Sequence, residues 1–455
     1  MRQGFKRQGR AVNALFLVLM VAVPALRAMI VSDRADKVAL VSIMLAFGCA
    51  ALSCLWFIDA AFPYTEIGDD PAYFRASVRT LDGIGDWLNL RQFQETHTQA
   101  GYPLLLTWVN QFCGPSLYDR KALNLCFFLL LAPVWYVIGR EIGGRRLAFA
   151  CAVTMLLCTP LWFYCMFLFK DIVIVFLQSL LLLGLVRVLS GAGAVRGYGT
   201  IALSTILIIP FRAFLALMNG GMLVAGSLLS AQGTRKSSRF GRIVITCFLL
   251  GALFVVGRNS SMMQSLGVHD ETGAHAFSSN SLDAQLAEQS VRRTTNFSNP
   301  VWFTLVYLVG EIGAFNPKSW GNLDTEAIRA ITMVPWIYFG LPLFLVGAWA
   351  VIFKKGIWPS PAESRGPHEG RSNEAGIGNP NRPCMLLLMA FVAAYALISW
   401  LISDTTRWRM PAMPPMMAIS AFAWCSMKGS SRLLLMTLWG GLLSIALVVY
   451  YALVK

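Results

Sequence analysis

The sequence predicts an all-α protein, a polytopic transmembrane helical bundle of about 10–12 helices. Three observations lead there. Of the 455 residues, 56% are hydrophobic and only 13% are charged, whereas soluble domains carry about 25% charged residues. Apolar stretches of about 20 residues recur from one end of the chain to the other, the length that crosses a hydrocarbon core as helix. Nor does the chain show the ~10-residue alternating segments of a transmembrane barrel. Helices satisfy their own backbone hydrogen bonds in lipid, so apolar runs of this length are read as helices.

Residues 1–37 form a basic N-terminal segment with an extra or re-entrant helix, Leu15–Ile30. A core over residues 38–353 follows, with spans at Val38–Phe62, Leu123–Ile138, Leu147–Phe169, Ile172–Val188, Thr200–Ile209 with Phe214–Leu229, Ile243–Val256 and Ile331–Phe353. Val301–Phe315 is apolar but short, a re-entrant or interfacial piece. Residues 354–383, rich in Gly, Pro, Ser and charge, predict a flexible cytoplasmic linker. Residues 384–455 hold the C-terminal helices Met385–Ile402, Met413–Met427 and Leu433–Val454. There is no internal repeat.

Net charge is +15, but its placement argues against nucleic acid. The basic residues gather in short connections between apolar runs, as the positive-inside rule expects, and there they meet membrane lipids. The ten cysteines lie mostly inside apolar segments without a C-x-x-C pair, as small core residues do. The four histidines, His97, His269, His275 and His368, have no metal-ligand spacing.

The basic connections Gly139–Arg146 (G-R-E-I-G-G-R-R), Thr234–Arg242 and Lys354–Pro383 fix the cytoplasmic side. Three segments then fall outside: the loop 63–120, the Ser-rich loop 258–300 and the turn around Asp404–Arg409. Lys170–Asp171 and Arg212 join them. The polar residues that do not set orientation therefore gather on one face. The basic N-terminus conflicts with this if Leu15–Ile30 spans. An interfacial segment broken at Pro24, a signal-like segment, or a start at Met29 removes the conflict. We expect the first loop outside.

That loop carries G-D-D-P-A-Y, Gly68–Tyr73. Asp69 precedes Tyr73 by one helical turn. The plain alternative is a solvated loop whose acids cap a helix. For Lys170 and Asp171 the alternative is a salt-bridged turn with a snorkelling lysine. For Arg407 it is interfacial anchoring beside Trp408.

In order, a first transmembrane helix, an outer loop with D-x-x-x-Y, and G-Y-P-L-L-L-T-W-V (Gly101–Val109) resemble the GT-C glycosyltransferases. This superfamily includes protein O-mannosyltransferases and bacterial enzymes that move aminoarabinose or other sugars onto lipid A and surface glycans. F-L-F-K-D-I-V-I-V-F-L (Phe167–Leu177) is similar to a K-D step of bacterial relatives, followed by P-F-R-A-F-L-A-L (Pro210–Leu217). T-R-W-R-M-P-A-M-P-P (Thr406–Pro415) resembles an R-Y-R-x-P-x-x-P step, with Trp408 in the Tyr place. No second D-E pair appears in the next outer loop, and residues 258–300 match no part of the pattern.

The resemblance implies a GT-C-like fold in the bacterial inner membrane. It implies a polyprenyl-phosphate sugar donor, and a lipid, glycan or protein acceptor on the non-cytoplasmic face. It makes Asp69 the catalytic base and Asp70 its supporting acid. Tyr73, Tyr102, Lys170, Asp171, Arg212, Arg407 and Arg409 become substrate-binding residues. It names no certain cofactor and leaves a divalent-metal requirement open. The residues themselves fit that chemistry. A carboxylate takes the acceptor proton, and cations stabilise the departing phosphate, which arginine grips bidentately. Two other readings compete: a lipid-linked glycan polymerase or ligase, and a secondary transporter, which should show repeated halves and ionisable groups near mid-membrane.

Overall fold

The computed structural model describes residues 34–61, 73, 77, 101–113, 117–191, 194–212, 214–230, 307–308, 331–353, 382–402 and 409–454. Among the described residues every regular element is helical. In chain order these are α1 (Arg34–Ala61), α2 (Gly101–Cys113), α3 (Leu117–Leu156), α4 (Thr159–Met166), α5 (Asp171–Ser190), α6 (Ala194–Arg212), α7 (Phe214–Ser230), α8 (Leu341–Phe353), α9 (Arg382–Ile402), α10 (Met413–Ser426) and α11 (Gly429–Val454). Four stretches, Ala35–Phe57, Tyr118–Leu156, Asp171–Ser190 and Ile331–Phe353, are long and apolar enough to cross a membrane. Several sequence expectations lie outside the described residues: Leu15–Ile30 and Met29, Asp69 and Asp70, Ile243–Val256, the loop 258–300, most of Val301–Phe315, the linker up to 381, Arg407 and Trp408.

The 40 residues of α3 do not run straight. Gly143 and Gly144 leave helical backbone, Gly144 at φ 81°, a left-handed conformation that glycine adopts without steric cost. A Cβ at Gly139 would lie 2.9 Å from the Ala148 Cα, although nine residues of straight helix span about 13 Å. The chain therefore reverses, and arms 117–142 and 145–156 run antiparallel. The basic step Gly139–Arg146 is a turn between helices, as expected. The first arm begins at Leu117 rather than Leu123, so Leu117–Arg120 are helix and not loop.

The expected continuous span Leu147–Phe169 is broken. The second arm ends at Leu156, and α4 starts with Pro160 in its first turn. Proline is tolerated there, because in the first turn its missing N–H would have had no helical partner. The stretch Thr200–Ile209 with Phe214–Leu229 forms two helices that reverse near Arg212. Asn219 of α7 donates to Thr205 of α6 (3.4 Å) and accepts from Gln178 of α5 (3.0 Å). Each of these residues lies roughly two turns in from its helix's end near Arg212, so α7 must run back alongside α6. Helices α5 and α6 meet where a Cβ on Gly184 would lie 2.8 Å from the Gly197 carbonyl, the small-residue approach that brings membrane helices close.

Before α8 the helix widens into a π-turn, Trp336–Gly340. Such a turn disturbs the carbonyl ladder. Ser420 Oγ donates to the Gly340 carbonyl at 3.0 Å, and Trp439 Nε1 to that of Ile337 at 3.0 Å. Prolines also fit where α9 and α10 start. Pro383 is the second residue of α9, so the expected linker ends in helix, and Pro414 sits in the first turn of α10.

The bundle has two distinct ends. At one, Arg145 pairs with Asp36 at 2.6 Å, Tyr136 also donates to Asp36, Ser190 donates to Glu141 at 3.3 Å, and Arg382 reaches the Ile352 carbonyl at 3.3 Å. This basic end gathers the start of α1, the turn of α3, the ends of α5 and α8, and the start of α9. Helix α1 is 28 residues long and starts here, so Ala61, which leads toward Gly68–Tyr73, lies at the far end. The starts of α3 and α5, the end of α6 and the approach to α10 meet there too.

Candidate functional site

The site at the far end begins with a break in the helices. Between Met166 and Asp171 the backbone leaves helix, and carbonyls at a helix end lose their partners. Asn124, one polar residue in an apolar run of α3, donates to the carbonyls of Phe167 (2.6 Å) and Phe169 (3.1 Å). Its own Oδ1 accepts from the Tyr102 hydroxyl at 2.9 Å. Tyr102 in turn packs edge-on against Tyr73, ring centroids 4.9 Å apart. The G-Y-P step, the F-L-F-K-D step and the tyrosine of G-D-D-P-A-Y are thus one contact group.

Gly101 brings in the next step. A Cβ there would lie 2.8 Å from the Pro210 carbonyl oxygen, so only glycine lets α2 approach α6 this closely. From Pro210 the chain reaches Arg212, whose Nη2 lies 3.0 Å from Asp171 Oδ1. Both groups are buried. The aspartate opens α5 and the arginine closes α6, so each charge also complements its own helix dipole. The expected alternative of a Lys170–Asp171 turn pair is not what forms: Asp171 pairs across helices with Arg212. Lys170 stays half-buried at the cap of α5, where its carbonyl accepts from Val173 (3.1 Å) and Ile174 (3.2 Å).

Arg409 precedes the turn Met410–Ala412. It is fully buried, and donates to the Tyr307 carbonyl at 3.0 Å and the Met333 sulphur at 3.1 Å. The Tyr307 hydroxyl in turn donates to the Val392 carbonyl of α9 at 3.5 Å, one turn before the fully buried Tyr395. The R-W-R step is therefore tied to α9 through Tyr307.

Sequence reasoning missed the triplet Asp119–Arg120–Lys121, the second turn's neighbour of Asn124. All three side chains are buried, with exposures of 1%, 0% and 0%. Arg120 Nε donates to Asn110 Oδ1, and Asn110 Nδ2 donates to the Ser77 carbonyl at 3.2 Å. Lys121 Nζ stands 5.3 Å over the Phe167 ring. Three charges at a helix start ordinarily read as a solvated cap, which hid them. The signal that could have found them is Asn124 one turn later, a polar side chain where lipid-facing helix has no use for one.

Asp69, Asp70 and Arg407 lie outside the described residues, whereas Tyr73, Tyr102, Lys170, Asp171, Arg212 and Arg409 all lie at the far end. Among the described residues no three His, Cys, Asp or Glu side chains gather as a metal site. No protein-family model, curated protein or solved structure matches the chain.

Proposed function

We propose that this chain is an integral membrane glycosyltransferase of GT-C type, acting at the far end on a polyprenyl-phosphate sugar. The observation that carries this reading is the convergence of steps remote in sequence, Tyr73, Tyr102, Asp171, Arg212 and Arg409, on one end of the bundle. Buried Arg120 and Lys121 add cationic groups beside them. In the proposed reaction the acceptor hydroxyl oxygen attacks the anomeric carbon and the bond from that carbon to the phosphate oxygen breaks. The polyprenyl phosphate departs with the electron pair, and the Asp69 carboxylate takes the hydroxyl proton. Asp70 supports the base. In this reading Lys170, Arg120, Lys121 and Arg407 supply the positive charge that stabilises the leaving phosphate. Arg212 and Arg409 hold the surrounding helices through Asp171 and Tyr307.

A transporter would place ionisable groups at mid-membrane. Among the described residues the charged side chains sit near the two ends, and the rungs between them are neutral, Gln178–Asn219–Thr205 and Trp135–Ser179. This favours an enzyme. The test supplies synthetic polyprenyl-phosphate sugars to membranes holding the protein and follows release of polyprenyl phosphate. Acceptor-dependent release above that of an Asp69→Asn variant is expected. Equal release from both would end this reading.

A further inference from the structure

The basic end carries a second group of charges that the proposed reaction does not use. Where α10 turns into α11, Arg432 donates through Nε and Nη2 to the Met427 carbonyl, at 3.1 and 2.7 Å. Its guanidinium also lies 4.7 Å from the centroid of the Trp424 ring. These contacts fix an arginine in place, unlike a solvated surface charge. Helix α3 packs against α10, and Arg146, just after the reversal of α3, stands exposed at this same end. Lys428 stands exposed in the same turn as Arg432.

The surroundings match this charge. Among the described residues the acidic side chains of the basic end are Asp36 and Glu141, engaged by Arg145 and Tyr136 and by Ser190. Below the three cations an apolar wall opens outward: Trp424 is 43% exposed, Leu433 71%, Leu434 60% and Leu438 63%. A ring of cations above an exposed aliphatic face is amphipathic in one direction. It suits a molecule with an anionic head and acyl chains. Arginine fixed by its own backbone contact is also pre-organised for phosphate oxygens.

We infer that Arg146, Lys428 and Arg432, with Trp424 and the start of α11, form a binding site for the phosphate headgroup of an anionic glycerophospholipid. The phosphodiester sits between Arg146 and Arg432 with Lys428 at its edge. The acyl chains run along Leu433, Leu434 and Leu438. Anionic lipid is the occupant because basic pockets between helices on the cytoplasmic side recruit such headgroups, and the cytoplasmic leaflet supplies them. The inference is independent of the sugar-transfer reading and holds whatever reaction the far end performs.

The experiment uses the full-length protein in detergent, stripped of lipid, with binding read by native mass spectrometry and by thermal shift. Phosphatidylglycerol and diphosphatidylglycerol should bind and raise Tm, while phosphatidylcholine should not. Each cation removed should weaken anionic-lipid binding about fivefold. Arg146→Gln with Lys428→Gln, which leaves the Arg432–Met427 bonds intact, should thus lose about 25-fold. Arg146→Lys should keep most of the affinity. Undiminished binding in the double variant overturns the site, as does equal stabilisation by phosphatidylcholine. Inorganic phosphate alone reproducing the thermal shift would also overturn it, since the site would then be an anion site without a lipid role.

Discussion

The two ends of the bundle both hold arginine paired with aspartate, and they treat the pair in opposite ways. At the basic end the Arg145 side chain is 58% exposed against a buried Asp36. At the far end Arg212 and Asp171 are exposed by 10% and 2%, and Arg120, Lys121 and Arg409 are fully buried nearby. An exposed cation at a membrane edge costs little and serves orientation. A buried one must be compensated by partners or by a ligand. Burial, rather than sign, separates the charges that orient the chain from those gathered at the candidate site.

The sharpest way to break this comparison is the loop that leads into Tyr73. Asp69→Asn should lower turnover 10²–10⁴-fold, because a positioned base contributes about that much. Asp70→Asn should lose less. Purified, monodisperse variants in the polyprenyl-phosphate release assay decide between them; a dead Asp70→Asn beside an active Asp69→Asn reverses the roles.

Next in size is the buried pair. Asp171→Ala leaves Arg212 uncompensated and should cost about 3–5 kcal/mol, read as loss of folded protein in detergent. Replacing both partners by apolar residues, Asp171→Leu with Arg212→Met, should recover most of that stability. If the single variant unfolds no earlier than wild type, the pair does not hold α5 to α6. Arg145→Gln at the basic end is the control. Its exposed pair should contribute about 1 kcal/mol or less, so a large loss there would erase the contrast between the ends.

A smaller effect belongs to Arg120. Arg120→Lys keeps the charge and loses the planar fork, and should raise the donor KM several-fold with a lesser change in kcat. An unchanged KM would make Arg120 a strut for Asn110 alone. Topology gives the last test. Asp82→Cys and Asp404→Cys should both react with an impermeant reagent on intact cells, and protection of either until lysis would separate the loops that the site needs together.

The helical class, and the places of most described helices, were legible in the sequence because apolar length reports directly on helices in lipid; four of the stretches are long and apolar enough to span. The break at Leu157–Cys158 was not legible, since Pro160 sits in a run otherwise apolar throughout, where hydropathy sees no boundary. The far-end grouping of Tyr102, Asp171 and Arg212 was visible as chain order and charge placement. Which partners meet was not: the only local partner the sequence offered Asp171, as an alternative, was its neighbour Lys170, while tertiary packing pairs it with Arg212. The triplet Asp119–Lys121 was lost for the same reason, because burial of a charge is decided by elements distant in sequence.

The neutral rung through Gln178, Asn219 and Thr205 acts as a vernier between three helices. Below it lies the glycine contact of α5 with α6, and above it the Asp171–Arg212 pair. These three marks lie at different depths on the same helices. If α6 slid by one turn, about 5.4 Å, it would strand the amide of Asn219, part the ion pair and carry Gly197 away from Gly184 and Val188, which only a glycine lets come so close. No intermediate slip satisfies one mark while breaking another. The depth at which Arg212 stands is thereby calibrated from within the hydrocarbon, by uncharged amides that take no part in chemistry.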